Sequence, residues 1–214
     1  MITNQINQNY DKNQKYRIWF WCLLIFNFFL LTILYLDNHA QIKRYVLNFL
    51  NIYDLDDKDS LSQLEITSYH EAGHTLIILL YPDDFEFSYV TINPSGRMLG
   101  HAKYTYINPN NWKGEVLVAL GGTAAEKELA QNNQISKEIV GKGSSSDFRK
   151  AKNLLNNHSS NPKSDFDHYL KESQQLLHLN KTTLKQIAQQ LLLKRTLSNK
   201  DIKNILQQYP LQTN

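Results

Sequence analysis

The chain has a single cysteine among its 214 residues. One thiol cannot build a disulfide framework or a Cys-rich zinc module. Because Cys22 sits inside an apolar run, it does not report a redox compartment either. Glycine is also scarce, at eight residues, which leaves little material for glycine-rich nucleotide loops. The phosphate-binding pattern G-x-x-x-x-G-K-[ST] does not occur: Ser136 stands at its first glycine, and Gly141-Lys142 is followed by Gly143. An ATPase module takes roughly 200 residues, so ATP-driven work by this chain implies an ATPase on another chain. Charge of one sign is missing as well. There are 23 Lys+Arg against 20 Asp+Glu, a formal net charge of +3, and no basic block of the kind that wraps nucleic acid.

What is present is unevenly spread. The mean hydropathy of −0.47 is that of a soluble protein. Yet Ile18 to Leu36 is a run of 19 uncharged residues in which only Asn27 and Thr32 are polar. About 20 apolar residues cross a bilayer as a helix. Trp19, Trp21 and Tyr35 lie toward the ends of the run, where amphipathic rings favour the interface. The run is too long for a signal peptide, and no small-x-small site follows it in LDNHAQ. The expectation is a single-pass membrane protein: a polar tail over 1–15, a transmembrane helix over 16–37, a stem over 38–58, a folded domain over 59–209 and a short tail over 210–214. Lys12, Lys15 and Arg17 precede the run and Lys43 and Arg44 follow it, which favours a cytoplasmic N-terminus by one charge.

After the acidic cluster 54–59, a helix is expected from about Ser60, which can cap it, to Leu80, with Pro82 just beyond. Two β-type runs follow, Phe85–Ile92 and Arg97–Ile107, joined by the turn chemistry of Asn93-Pro94-Ser95-Gly96. Helical patterns then extend over 112–131, 147–157, 165–178, 181–193 and 199–208. The fold class is α-rich α+β, with a small hairpin or sheet.

The first helix carries His70-Glu71-Ala72-Gly73-His74. Positions i and i+4 share a helix face, so both imidazoles can bind one metal ion. Glu71 can then act on a water without taking a coordination position, as in the H-E-x-x-H arrangement of zinc peptidases. Catalytic zinc usually has three protein ligands. The residues alone leave the third open among Asp147, Glu126, His101 and the later histidines. Glu126 could equally orient a ligating histidine. Gly73 costs about 1 kcal/mol against Ala in a helix interior, which a close backbone approach would explain.

Four ordered segments resemble the FtsH-type, membrane-anchored, ATP-dependent zinc metalloproteases. Tyr69-His70-Glu71-Ala72-Gly73-His74 is similar to that family's zinc motif. Leu120–Glu126 is similar to its L-G-G-R-x-A-E segment, with Thr123 in place of arginine. Gly143–Phe148 resembles its G-A-S-N-D-L segment, and Leu191–Leu197 followed by Asp201-Ile202 resembles its closing segment. The resemblance implies a zincin-like helical peptidase domain without the ATPase module, with Zn2+ held by His70, His74 and Asp147. It makes Glu71 the general base and Glu126 a support. It also implies protein or peptide substrates bound along an edge strand at Leu99–Tyr106, with Leu99, Gly100, His101 and Ala102 as candidate contacts. A separate AAA ATPase or a full-length FtsH-like subunit is a candidate partner, and homo-oligomerisation a candidate state. A non-catalytic membrane adaptor that binds such a protease is the alternative. The resemblance also implies a cytoplasmic peptidase domain, against the one-charge margin of the flanking residues.

Overall fold

A helix buried along most of its length organises the structure, a computed structural model that describes residues 61–213 except Arg97. The expected polar tail, membrane run and stem lie outside the described residues. No helix among the described residues is long and apolar enough to cross a membrane.

That helix, α1, is Gln63–Leu80. Ser62 starts it rather than Ser60. Glu65, three residues on, completes a capping box: the Ser62 side chain accepts from the Glu65 N–H, and the Glu65 carboxylate accepts from the Ser62 N–H at 2.9 Å. Strands β1, Phe85–Thr91, and β2, His101–Tyr106, pair antiparallel with a bulge between Phe87 and Tyr89. The expected start of the second strand at Arg97 is corrected to His101. Ser95 and Met98 exchange backbone hydrogen bonds of 2.9 and 3.1 Å, and the tight turn they close keeps the chain out of the ladder. Leu99 and Gly100 therefore precede the strand, while His101 and Ala102 stand on it opposite Thr91 and Val90.

Helix α2 is Trp112–Gln131, begun by Asn111 accepting from the Gly114 N–H at 2.9 Å. Helices α3, Ser145–His158, α4, Pro162–Leu179, and α5, Lys181–Lys194, follow. Pro162 opens α4, where its missing N–H and fixed φ suit the first turn. Arg195 takes a left-handed φ of 65° and turns the chain into a short strand β3, Thr196–Ser198, and helix α6, Asn199–Gln208. β3 turns the expected hairpin into a three-stranded sheet of order β2-β1-β3. β2 is thus an edge strand with no described strand on its outer side. Beyond α6, Gln212 is tied to Asn180 at the α4–α5 junction by bonds of 2.7 and 3.1 Å.

The core joins α1, α2, α4, α5 and the inner face of β1. Leu76, Ile77, Ile78, Leu120, Leu177, Ile187 and Leu191 are fully buried in it. The α1–α2 crossing is the tightest contact. A Cβ on Gly73 would lie 2.3 Å from the Gly121 carbonyl oxygen, and one on Gly121 would lie 2.8 Å from that of Gly73. Only glycine lets these backbones touch, which accounts for its presence mid-helix.

Candidate metal centre

The α1–α2 crossing holds the histidines between two walls. His70 and His74 stand one turn apart on α1, with rings edge-to-face at a centroid distance of 4.7 Å and an angle of 76°. The Nδ1 of His70 faces the Glu126 Oε1 of α2 at 2.7 Å, and the Nδ1 of His74 faces the Val118 carbonyl oxygen at 2.6 Å. A Cβ on Gly122 would lie 2.4 Å from His70 Nε2, so Gly122 leaves the space this ring occupies. Asp147, in the first turn of α3, brings Oδ2 to 3.3 Å from His70 Nε2 and 3.7 Å from His74 Nε2. One ligand atom from each of His70, His74 and Asp147 lies within 4.8 Å of the others.

These contacts decide where the protons are. A carbonyl oxygen can only accept, so His74 carries its proton on Nδ1. The Glu126 carboxylate asks the same of His70. In their neutral forms the two rings then present Nε2 lone pairs to each other at 3.0 Å, beside a carboxylate. Three electron-rich atoms converging in a buried site call for a cation. The ionisation of His70 and Asp147 shows the same demand. Burial alone would lower the His70 pKa, but hydrogen bonds to Asp147 and Glu126, with the fields of Glu71 and Glu126, raise it to about 10. Burial pushes the Asp147 carboxyl up, yet hydrogen bonds to His70 and His74 hold it well below the usual carboxylate range. Two imidazole nitrogens and one carboxylate oxygen form a donor set that suits zinc with a position left open. The residues present therefore fit the metal.

Glu71 is buried beside this cluster. Burial raises its pKa, opposed by the positive fields of His74 and His70. Gly100, just before β2, packs against it: a Cβ there would lie 2.9 Å from Glu71 Oε1. The edge of the sheet thus passes beside the carboxylate.

Glu126 stands on the opposite side of the His70 ring from the convergent nitrogens, as an orienting residue does. Its second oxygen accepts from the Gly141 N–H at 2.5 Å. Gly141 has a φ of +76°, and its loop leads to Asp147. Thr123 donates to Ser144 Oγ at 2.7 Å, tying α2 to the residue before α3. His101 is not in the cluster. Its Nε2 meets the Tyr89 hydroxyl at 3.1 Å, while its buried Nδ1 has no protein partner. The later histidines are elsewhere: His158 stacks on Trp112, His168 meets Glu172 and His178 meets Glu128. Sequence reasoning missed the Val118 carbonyl and the Gly141 N–H, since backbone groups carry no residue signature. The Gly121-Gly122 pair was the available signal of close approach.

Comparison with known proteins agrees with this geometry. The profile of Peptidase family M41 matches residues 59–160, a stretch that carries His70, Glu71, His74, Glu126 and Asp147. The chain is 33% identical over 102 residues to an ATP-dependent zinc metalloprotease FtsH of Ruminiclostridium cellulolyticum, covering 44% of this chain and 15% of the relative. It is 34% identical over 101 residues to the FtsH of Buchnera aphidicola, covering 44% and 16%, and 36% identical over 100 residues to that of Mycoplasma genitalium, covering 42% and 13%. The aligned stretch is thus under a fifth of each of these relatives. Residues 59–160 thus match peptidase family M41, and about 100 residues of the chain are similar to FtsH-type zinc metalloproteases.

Proposed function

We propose that this chain is a membrane-anchored zinc metalloendopeptidase that hydrolyses peptide bonds in unfolded or flexible protein segments. The observation that carries the reading is the convergence of His70 Nε2, His74 Nε2 and Asp147 Oδ2 beside the buried Glu71 carboxylate. Zinc held by His70, His74 and Asp147 would supply the Lewis acidity that makes water nucleophilic near neutral pH. Glu71 takes the proton of the attacking water and delivers it to the leaving amine. Glu126 keeps the His70 proton on Nδ1 and so keeps Nε2 available. The Val118 carbonyl does the same for His74.

Substrate lies along the open edge of β2, where an extended segment can add as a further strand. Gly100 brings that edge next to Glu71 without a side chain in between. Added-strand binding requires an extended peptide, which favours flexible segments over folded ones. Residues 16–37 supply the anchor. A separate ATPase or a full-length FtsH-like subunit would deliver folded substrates, and further copies of this chain could assemble beside it.

The test is cleavage of casein by the zinc-loaded full chain, with Glu71→Gln as control. The expected result is turnover with one zinc per chain, reduced by about 10²–10⁴ in the variant, in line with the usual contribution of a general base. Stoichiometric zinc without turnover, with and without an added ATPase partner, would instead fit the non-catalytic adaptor.

A further inference from the structure

A groove of about 360 Å³ opens on α3, beginning at Ser146 beside Asp147 and running past Asn153 to Asn157. Its opposite wall is Glu115, in the first turn of α2. At its near end, Lys150 reaches across to the sheet. Its ammonium lies 3.0 Å from Glu115 Oε1, 2.8 Å from the Tyr104 hydroxyl and 3.2 Å from that of Tyr106. It also sits 5.5 and 5.9 Å from the centres of those two rings. The Tyr106 hydroxyl donates to the same Glu115 carboxylate. Lys150 and Glu115 therefore answer each other and join α3 to the far end of β2.

The neighbouring cation is different. Arg149 lines the groove and is exposed. It forms no ion pair with a described residue. Around it are Ser146 and Asn153, neutral groups able to donate hydrogen bonds. The groove thus offers an uncompensated guanidinium and polar donors, while the one carboxylate on its wall is already occupied.

Its position relates to the edge strand. From His101, near Glu71, to Tyr106 is five steps of β2, or roughly 17 Å at a strand rise of about 3.3 Å per residue. The Lys150 contacts with Tyr104 and Tyr106 set the groove beside the strand about three to five residues along β2 from His101.

We propose that this groove is a substrate subsite for an acidic side chain and that Arg149 is its specificity-determining residue. The inference rests on the peptidase reading for the path of the peptide, and it names a class of substrate: flexible segments with an Asp or Glu at a fixed distance from the cleaved bond. A guanidinium with hydrogen-bonding neighbours recognises a carboxylate by charge-assisted bonds that the isosteric amide cannot make.

Binding tests this apart from turnover. The zinc-loaded full chain carrying Glu71→Gln is titrated with fluorescein-labelled short peptides that differ only in one residue, Asp or Asn, moved stepwise along the sequence. The expected result is roughly three- to tenfold tighter binding of the Asp peptide at one position. Adding Arg149→Gln brings that ratio to one. Lys203→Gln on α6, an equal change of net charge away from the groove, preserves it. Equal binding of Asp and Asn peptides at every position overturns the proposal. So does a preference that survives Arg149→Gln, or no peptide binding at all. Cleavage by the unsubstituted chain is read separately: an intact Asp preference with no cleavage counts against the hydrolase and leaves the subsite standing.

Discussion

The α1–α2 crossing and the C-terminal helices are built on different physical terms. At the crossing, backbones touch through Gly73 and Gly121, and buried polar groups such as His74, Glu71 and Glu126 sit within the core. The geometry there depends on single atoms: the Val118 oxygen fixes a tautomer, and the absence of a Cβ on Gly122 admits a ring. Helices α4, α5 and α6 are amphipathic and bury ordinary apolar side chains such as Leu177, Ile187, Leu191 and Ile202. Their contribution is area. The family match also ends at residue 160, before α4, although the closing Leu191–Leu197 segment lies beyond it. Precise geometry is concentrated in one region and supported by volume from the other. Changes to the side chains around the histidines should alter zinc and turnover more than stability, and changes in the second region should do the reverse.

The largest expected stability effect belongs to the support. Leu191→Ala removes a fully buried side chain from α5 and should cost about 2–5 kcal/mol. Chemical denaturation would show this as a lower midpoint, with the zinc affinity of the folded fraction unaltered. A large loss of zinc affinity at unchanged stability would break the comparison.

The opposite pattern is expected for Glu126→Gln. A carboxylate accepts from both His70 Nδ1 and the Gly141 N–H. The amide has one accepting oxygen, so one of these contacts becomes donor against donor. Competition with a chelator should show about 10–100-fold weaker zinc binding, the usual cost of removing a partner that orients a ligating histidine. Unchanged affinity would mean that the α2 contact does not orient His70.

The smallest effect is at α6. Asp201 accepts from the Ser198 N–H at 2.9 Å in a capping box and meets Lys194 at 2.6 Å. The Lys194 ammonium, then the Ser198 hydroxyl and N–H, hold its carboxyl well below the usual carboxylate range. A depressed folded-state pKa gives stability that is present above the unfolded value, near about 3.9. That stability is lost as pH falls through the folded value. Asp201→Asn should cost about 0.3–1 kcal/mol at neutral pH and should flatten the acid limb of the stability profile. An unchanged acid limb would remove this cap from the account.

The sequence made some of this legible and hid the rest for physical reasons. His70, Glu71 and His74 lie within five contiguous residues whose helix period puts two nitrogens on one face, so their chemistry was readable in place. Asp147 and Glu126 are distant in the chain; the residues alone left both open as third ligand, with Glu126 equally an orienter, and only the family resemblance favoured Asp147. Only the fold puts one on the Nε2 side of His70 and the other on its Nδ1 side. Helix spans from α2 to α6 agree with the apolar patterns to within a few residues. The strand β3 was missed because three residues, Thr196–Ser198, carry too little periodicity. It exists through pairing with β1 and through the Arg195 carbonyl, which accepts from the Ile92 N–H at 2.9 Å and the Thr91 hydroxyl at 3.1 Å. Leu99 and Gly100 have strand-like neighbours, but a local turn between Ser95 and Met98 outweighs that pattern.

The most direct test of the central claim is zinc-edge X-ray absorption on the full chain with one equivalent of zinc. The account predicts two imidazole nitrogens at about 2.0–2.1 Å with oxygen in the remaining positions, a spectrum unchanged by Glu71→Gln and altered by Asp147→Ala. A spectrum with one imidazole or none, or one that Asp147→Ala leaves untouched, would contradict it.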